Sequence, residues 1–184
     1  MFWGASSFNQ NIGGWSVENV YEMGHMFTSA SAFDQDISAW SVDNVRDMHQ
    51  MFNSASSFNQ NIGGWNVEQV TNMHRMFSDS AFNKDISAWA VDSVTDMHYM
   101  FNSASAFDQD LGWCVGGDVD LDDAFDGTQC ASTLCGVNWA AAVICGGNGR
   151  ATIDDGTIKT AVGRWLSNPT AAEATYGHIS TWET

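Results

Sequence analysis

Residues 6–15 read SSFNQNIGGW, and the same ten letters recur at 56–65. A chain that copies itself at a fixed distance places each copy in similar surroundings, which points to architectures in which one unit stacks on the next. Aligned on tryptophan, the copies are SSFNQNIGGWSVENVYEMGHMFTSA from 6, SAFDQDISAWSVDNVRDMHQMFNSA from 31 and SSFNQNIGGWNVEQVTNMHRMFSDS from 56. A fourth, AFNKDISAWAVDSVTDMHYMFNSA from 81, is one residue shorter, and a fifth starts as SAFDQDLGWCV at 105 before it drifts. Trp15, Trp40, Trp65, Trp89 and Trp113 thus stand 25, 25, 24 and 24 residues apart. The first copy shares 16 of 25 positions with the third and 14 with the second, so the larger unit is a duplicated pair.

Two local patterns alternate within each copy. In VRDMHQMF, Val45, Met48, Met51 and Phe52 fall on one face of a short helix or of successive helical turns. In FDQDISAWSV, Phe33, Ile37, Trp40 and Val42 form a β-branched and aromatic mixture that suits a short strand. One strand and one helical turn per repeat predict an α/β solenoid with neighbouring strands ~4.8 Å apart in a parallel sheet. The regular part covers residues 1–127, a Cys-rich cap and linker follows at 128–150, and residues 151–184 change character. There, Ile158, Ala161, Val162 and Trp165 have helical spacing behind the cap candidates Asp154 and Asp155, and TAAEATYG offers a second helical piece.

The recurring MF..ASAFDQDISAW.V..V.DM..MF resembles the leucine-rich-repeat-like modules of BspA-type surface proteins, a domain of unknown function common in bacterial lipoproteins and microalgal surface proteins. The segment WCVGGDVDLDDAFDGTQCASTLCGV also resembles the cysteine-bearing closing segment of algal members. The resemblance implies a surface-exposed, non-catalytic repeat domain of the kind suspected in adhesion. It supplies no catalytic residues.

Six Lys plus Arg against 22 Asp plus Glu give a net charge of −16. Such a field repels phosphate backbones and anionic lipid, so nucleic acid is not an expected partner. It suits calcium, or solubility in a salty exterior. No run of 18 apolar residues occurs, so no membrane insertion is expected, and MFWGASSFNQ lacks the marks of an export signal.

The tryptophans read as core rather than as a glycan-stacking platform, since each follows an Ile or Leu by two or three residues. Asn9/Asn11, Asp34/Asp36, Asn59/Asn61, Asn83/Asp85 and Asp108/Asp110 would stack as two columns. Alternating Asn with Asp lets an amide donate to the carboxylate above or below, with Gln10, Gln35, Gln60 and Gln109 between them. A calcium-binding edge is the other reading of these columns. His49, His74 and His98 recur at one position, with His25 displaced by one; with no Cys or carboxylate column sharing a clear ligand geometry with them, they read as a solvated face rather than a metal site.

Asp118, Asp120, Asp122, Asp123 and Asp126 form the densest acidic cluster. An EF-hand would need Gly at the position of Asp123 and Glu at that of Gln129, so only a looser calcium site remains open. Cys114, Cys130, Cys135 and Cys145 contain no Cys-x-x-Cys and read as two disulfides of open pairing that staple a cap in an oxidising, extracellular setting. No phosphate loop, Gly-x-Ser-x-Gly or His-Glu-x-x-His is present, so no enzyme is expected.

The two ends are complementary. MFWGASS matches MFNSASS at 51–57, the second half of a repeat, while Ile179 and Trp182 of HISTWET reproduce the spacing of Ile37 and Trp40. Such ends are expected either of an ordered slice of a longer polypeptide of similar modules or of a chain whose ends are completed by neighbouring subunits. The expectation is a non-enzymatic extracellular or cell-surface module of a fibre or surface layer. It would self-associate head to tail through Met1, Phe2 and Trp3 of one unit and Ile179 and Trp182 of the next. The alternative is a calcium-dependent adhesin for a glycan or a surface protein.

Overall fold

A computed structural model describes residues 1–139, together with the backbone of the short segments at 144–145 and 151–152. The helical pieces expected after residue 152 and the HISTWET segment lie outside the described residues. The repeats are built from tight turns. In the first and at the start of the second, the N–H groups of Trp15, Val20, Met26, Ala30 and Phe33 donate to carbonyls three residues back, at 2.9–3.1 Å. A tight turn brings its first and fourth residues together. Ile12, Val17, Met23, Phe27, Ala30 and Phe33 therefore all reach the interior.

That spacing of three is what reads as a helical face in the sequence. No α-helix forms among the described residues. The reason lies in which backbone groups bond to what. In the second repeat the N–H groups of Met48, Gln50, Phe52 and Ser54 donate to carbonyls of the third repeat, at residues 72, 74, 76 and 78, over 2.8–3.0 Å. The intervening N–H groups of Met51, Asn53 and Ala55 close local turns at 3.0–3.2 Å. Alternate donors thus serve the neighbouring repeat, as in a strand, and the rest serve the turn. Gln50 and Ser54 adopt left-handed backbone (φ 53° and 57°), as do their counterparts in the other repeats, which a right-handed helix cannot include.

The strand expected around Trp40–x–Val42 is also absent, because the Trp40 and Val45 N–H groups turn back to the Ile37 and Val42 carbonyls. Parallel contacts between repeats fall instead one residue before Met23, Met48, Met73, Met97 and Leu121, as single bridges joining Glu22 to Asp47, Asp47 to Asn72, Asn72 to Asp96 and Asp96 to Asp120.

Two phenylalanine columns form the spine. Phe27, Phe52, Phe77, Phe101 and Phe125 stack with centroids 5.3–5.7 Å apart. Phe33, Phe58, Phe82 and Phe107 run beside them at 5.9–6.4 Å. Neighbours five or six residues apart in the chain, such as Phe27 and Phe33, pair across the two columns at 3.9–4.2 Å. Trp40, Trp65 and Trp89 are buried, and each indole N–H donates to the isoleucine carbonyl of the preceding repeat, at Ile12, Ile37 and Ile62. Trp113 is buried with no acceptor for its indole among the described residues. The turn before it has lost a residue, so Leu111 stands two positions ahead of the ring where the earlier repeats keep three.

The pairing of repeats has a steric cause at one site. A Cβ on Gly13 or Gly63 would lie 2.5 Å from the carbonyl oxygen of Asp36 or Asp85 in the next repeat. Glycine is therefore required there in the first and third repeats, whereas the second and fourth carry Ser38 and Ser87.

Within the fifth repeat, strand β1 (Cys114–Val115) pairs in parallel with the later β2 (Asn138–Trp139), and a 3-10 segment at Ala131–Gly136 lies between them. Strand β3 (Ile144–Cys145) pairs antiparallel with β4 (Ala151–Thr152).

Candidate functional site

The repeats bring two side-chain columns onto one outer face. The first holds Glu22, Asp47, Asn72, Asp96 and Asp120, the residues that bridge between repeats. Two residues further on stand Gly24, His49, His74, His98 and Asp122. In locally extended backbone a spacing of two returns the side chain to the same face. Oδ1 of Asp47, Asn72, Asp96 and Asp120 accepts the N–H two residues on at 2.8–3.0 Å, which holds each pair in register. The histidines therefore do share their face with a carboxylate column, which the sequence reading missed. The signal was the repeated Asp-Met-His.

His49 Nδ1 lies 2.6 Å from Asp47 Oδ1 of its own repeat. His98 Nδ1 lies 3.5 Å from Asp120 Oδ2 of the next. The His49 ring occupies the space that Gly24 leaves open in the first repeat, where the histidine stands one place later as His25. His25 takes left-handed backbone (φ 57°), stacks on Trp3 at 4.6 Å and meets the His49 ring edge-on at 4.5 Å. Burial holds its pKa below the ordinary histidine value, helped by His49 and the terminal amino group and opposed by Asp47. His74 is lowered by burial too, against the pull of Asp96.

The five acids of 118–126 are not gathered into one group. Asp120 and Asp122 join His98, their ligand atoms all within 4.8 Å of one another. Asp123, in left-handed backbone, bonds to the Tyr99 hydroxyl and raises its pKa. Asp118 and Asp126 stand apart from the trio.

The Asn/Asp columns work differently from the expected side-chain ladder. Oδ1 of Asn9, Asp34, Asn59 and Asn83 accepts the backbone N–H of the same position in the next repeat, at 2.9–3.0 Å. Gln35, Gln60 and Gln109 add a side-chain amide to the same oxygen at 2.7–2.9 Å. The second column closes local turns, Asn11, Asp36, Asn61 and Asp85 each accepting the N–H two residues on. Both uses engage one oxygen, which Asn and Asp offer alike. The Ser38 hydroxyl and N–H lower the Asp36 pKa.

At the first repeats, large apolar side chains face outward: Met1 is 86% exposed, Trp3 66%, Tyr21 58% and Trp15 43%. Phe2 is half-buried, stacked on Phe8 at 3.9 Å and Phe27 at 5.6 Å. Its N–H and that of Gly4 donate to the Met26 and Thr28 carbonyls, the pattern of the inter-repeat bonds. Ile179 and Trp182 lie outside the described residues.

Cys130 and Cys135 are joined in a disulfide, with Cα atoms 4.8 Å apart. Cys114 is buried in β1 and also disulfide-bonded. Cys145 lies in β3, whose side chains are outside the described residues. An open cleft of about 320 Å³ separates the disulfide from Asp108, Gln109 and Asp110 of the fifth repeat.

Residues 1–81 and 37–135 match the family described as "Mycoplasma protein of unknown function, DUF285". The chain belongs to this family. The match spans all the repeats and reaches the Cys130–Cys135 disulfide. No curated protein and no solved structure matches the chain.

Proposed function

We propose that this chain is a non-enzymatic structural module of a fibre or surface layer outside the cell, its repeats a leucine-rich-repeat-like solenoid of the BspA type, joined head to tail to other copies. The observation that carries this reading is the composition of the exposed first edge. Trp15 and Met1 are exposed, while the same positions in later repeats, Trp40, Trp65 and Trp89 and Met51, Met76 and Met100, are buried. The edge has the composition of the interior, so another repeat is the chemistry that covers it.

The segment that fits is HISTWET of a second copy. Each inner tryptophan donates its indole N–H to an isoleucine carbonyl 27 or 28 residues back in the preceding repeat. With Ile179 of a second copy in that place, Trp15 gains the same acceptor, and Trp182 extends the tryptophan column. Burying each such side chain is worth roughly 1.5–3 kcal/mol. The disulfides support an oxidising location.

The test is deletion of residues 177–184 followed by sedimentation and electron microscopy. The full chain should form linear assemblies, and the truncated chain should remain monomeric with its far-UV spectrum retained. Filaments of the truncated chain would overturn the mechanism, as would a full chain that stays monomeric at high concentration.

A further inference from the structure

We propose that His98, Asp120 and Asp122 bind a first-row transition-metal dication of the zinc type. The three come from two adjacent repeats, and the backbone sets their positions. Met97 and Tyr99 donate their N–H groups to the Asp120 and Asp122 carbonyls at 2.8 and 3.0 Å, which fixes the repeats relative to each other on either side of His98. Asp120 Oδ1 accepts the Asp122 N–H at 2.9 Å, leaving Oδ2 toward the imidazole, 3.5 Å from His98 Nδ1. Ligand atoms ~2.0–2.2 Å from a shared metal lie about 3–3.5 Å from one another in tetrahedral geometry. The His98–Asp120 pair already has that separation, and the trio falls within 4.8 Å.

The site arises from a change in the repeat. At the His position the fifth repeat places Asp122, so a column of imidazoles ends on a carboxylate beside another carboxylate. Among the described residues this is the one group of three metal-ligating side chains so gathered. One imidazole nitrogen with two carboxylate oxygens suits zinc and its neighbours, whereas calcium takes six to eight oxygens and does not select imidazole. Asp118, Asp123 and Asp126 stand outside the group, so an all-oxygen calcium shell is not assembled here. His98 and the two aspartates are at least partly exposed, which leaves the remaining coordination positions to water.

The test is titration of the metal-free full chain with zinc and with calcium by calorimetry, alongside cobalt(II) absorption. Expected are one zinc per chain, a melting temperature that rises with zinc concentration, and at least tenfold weaker binding of calcium. His98→Gln and Asp122→Asn should each weaken zinc binding at least tenfold and remove the cobalt(II) visible band. His49→Gln, on the same face, should leave both unchanged. Neither side chain of the trio's test variants lies in the core, and far-UV spectra of the variants verify folding. No zinc binding by the wild-type chain, wild-type affinity in both His98→Gln and Asp122→Asn, or calcium binding as tight as zinc would each overturn the assignment.

Discussion

Replacing Asp34 tests how the repeats are held in register. Its Oδ1 accepts two donors from the third repeat, the Asn59 N–H and the Gln60 side-chain amide, both at 2.9 Å. Asp34→Ala removes the oxygen and strands the Asn59 N–H, while the Gln60 amide keeps the Asp34 backbone carbonyl, which it also reaches at 3.0 Å. A bond to a charged acceptor contributes about 1.5–3 kcal/mol, and a stranded donor costs about 1–3 kcal/mol. Asp34 is half-buried, so water recovers part of the loss, and the expected destabilisation is about 1–3 kcal/mol. Asp34→Asn keeps an oxygen at the same place. It also introduces no repulsion, since Asn9 and Asn59 occupy the column on either side, so the expected cost is below about 1 kcal/mol. Urea denaturation followed by tryptophan fluorescence measures both, with equal m-values required for the comparison. If Asp34→Asn is as damaging as Asp34→Ala, the single-oxygen reading is wrong. The same holds if Asp34→Ala is within about 0.5 kcal/mol of wild type, the range of ordinary surface substitutions.

Stability should also fall as the pH drops below 6.5, toward the lower folded pKa of His25. His25 has a folded pKa below its unfolded value, so the unfolded chain takes up the proton first and acid favours unfolding; above 6.5 the contribution is fully present. His25→Asn, which tolerates the left-handed backbone, should flatten the melting temperature over that interval, and an unchanged slope refutes it. Non-reducing peptide mapping should find Cys130 linked to Cys135, with Cys114 recovered in a second disulfide; alkylation of either as a free thiol in native protein contradicts the structure.

The 25-residue period and the identity of the core residues were legible in the sequence, because each repeat has the same inward positions. Ile37, Trp40, Val45, Met48 and Phe52 all appear there and are all buried. The secondary structure was not legible. A spacing of three fits a helix face and a series of tight turns equally, and the choice rests on whether alternate N–H groups find carbonyls in the next repeat. Gln50 and Ser54 show this most plainly, since nothing in either side chain announces left-handed backbone.

The candidate site divides the same way. The sequence by itself determined that histidines recur at one position and that acids crowd 118–126. Only the tertiary structure decided which of them meet, since Asp120 and Asp122 reach His98 from 22 and 24 residues away through the offset between two stacked repeats. Distance along a strand is written in the sequence. Distance across a stack depends on the register that inter-repeat hydrogen bonds impose, and those bonds are made by backbone groups common to nearly every residue.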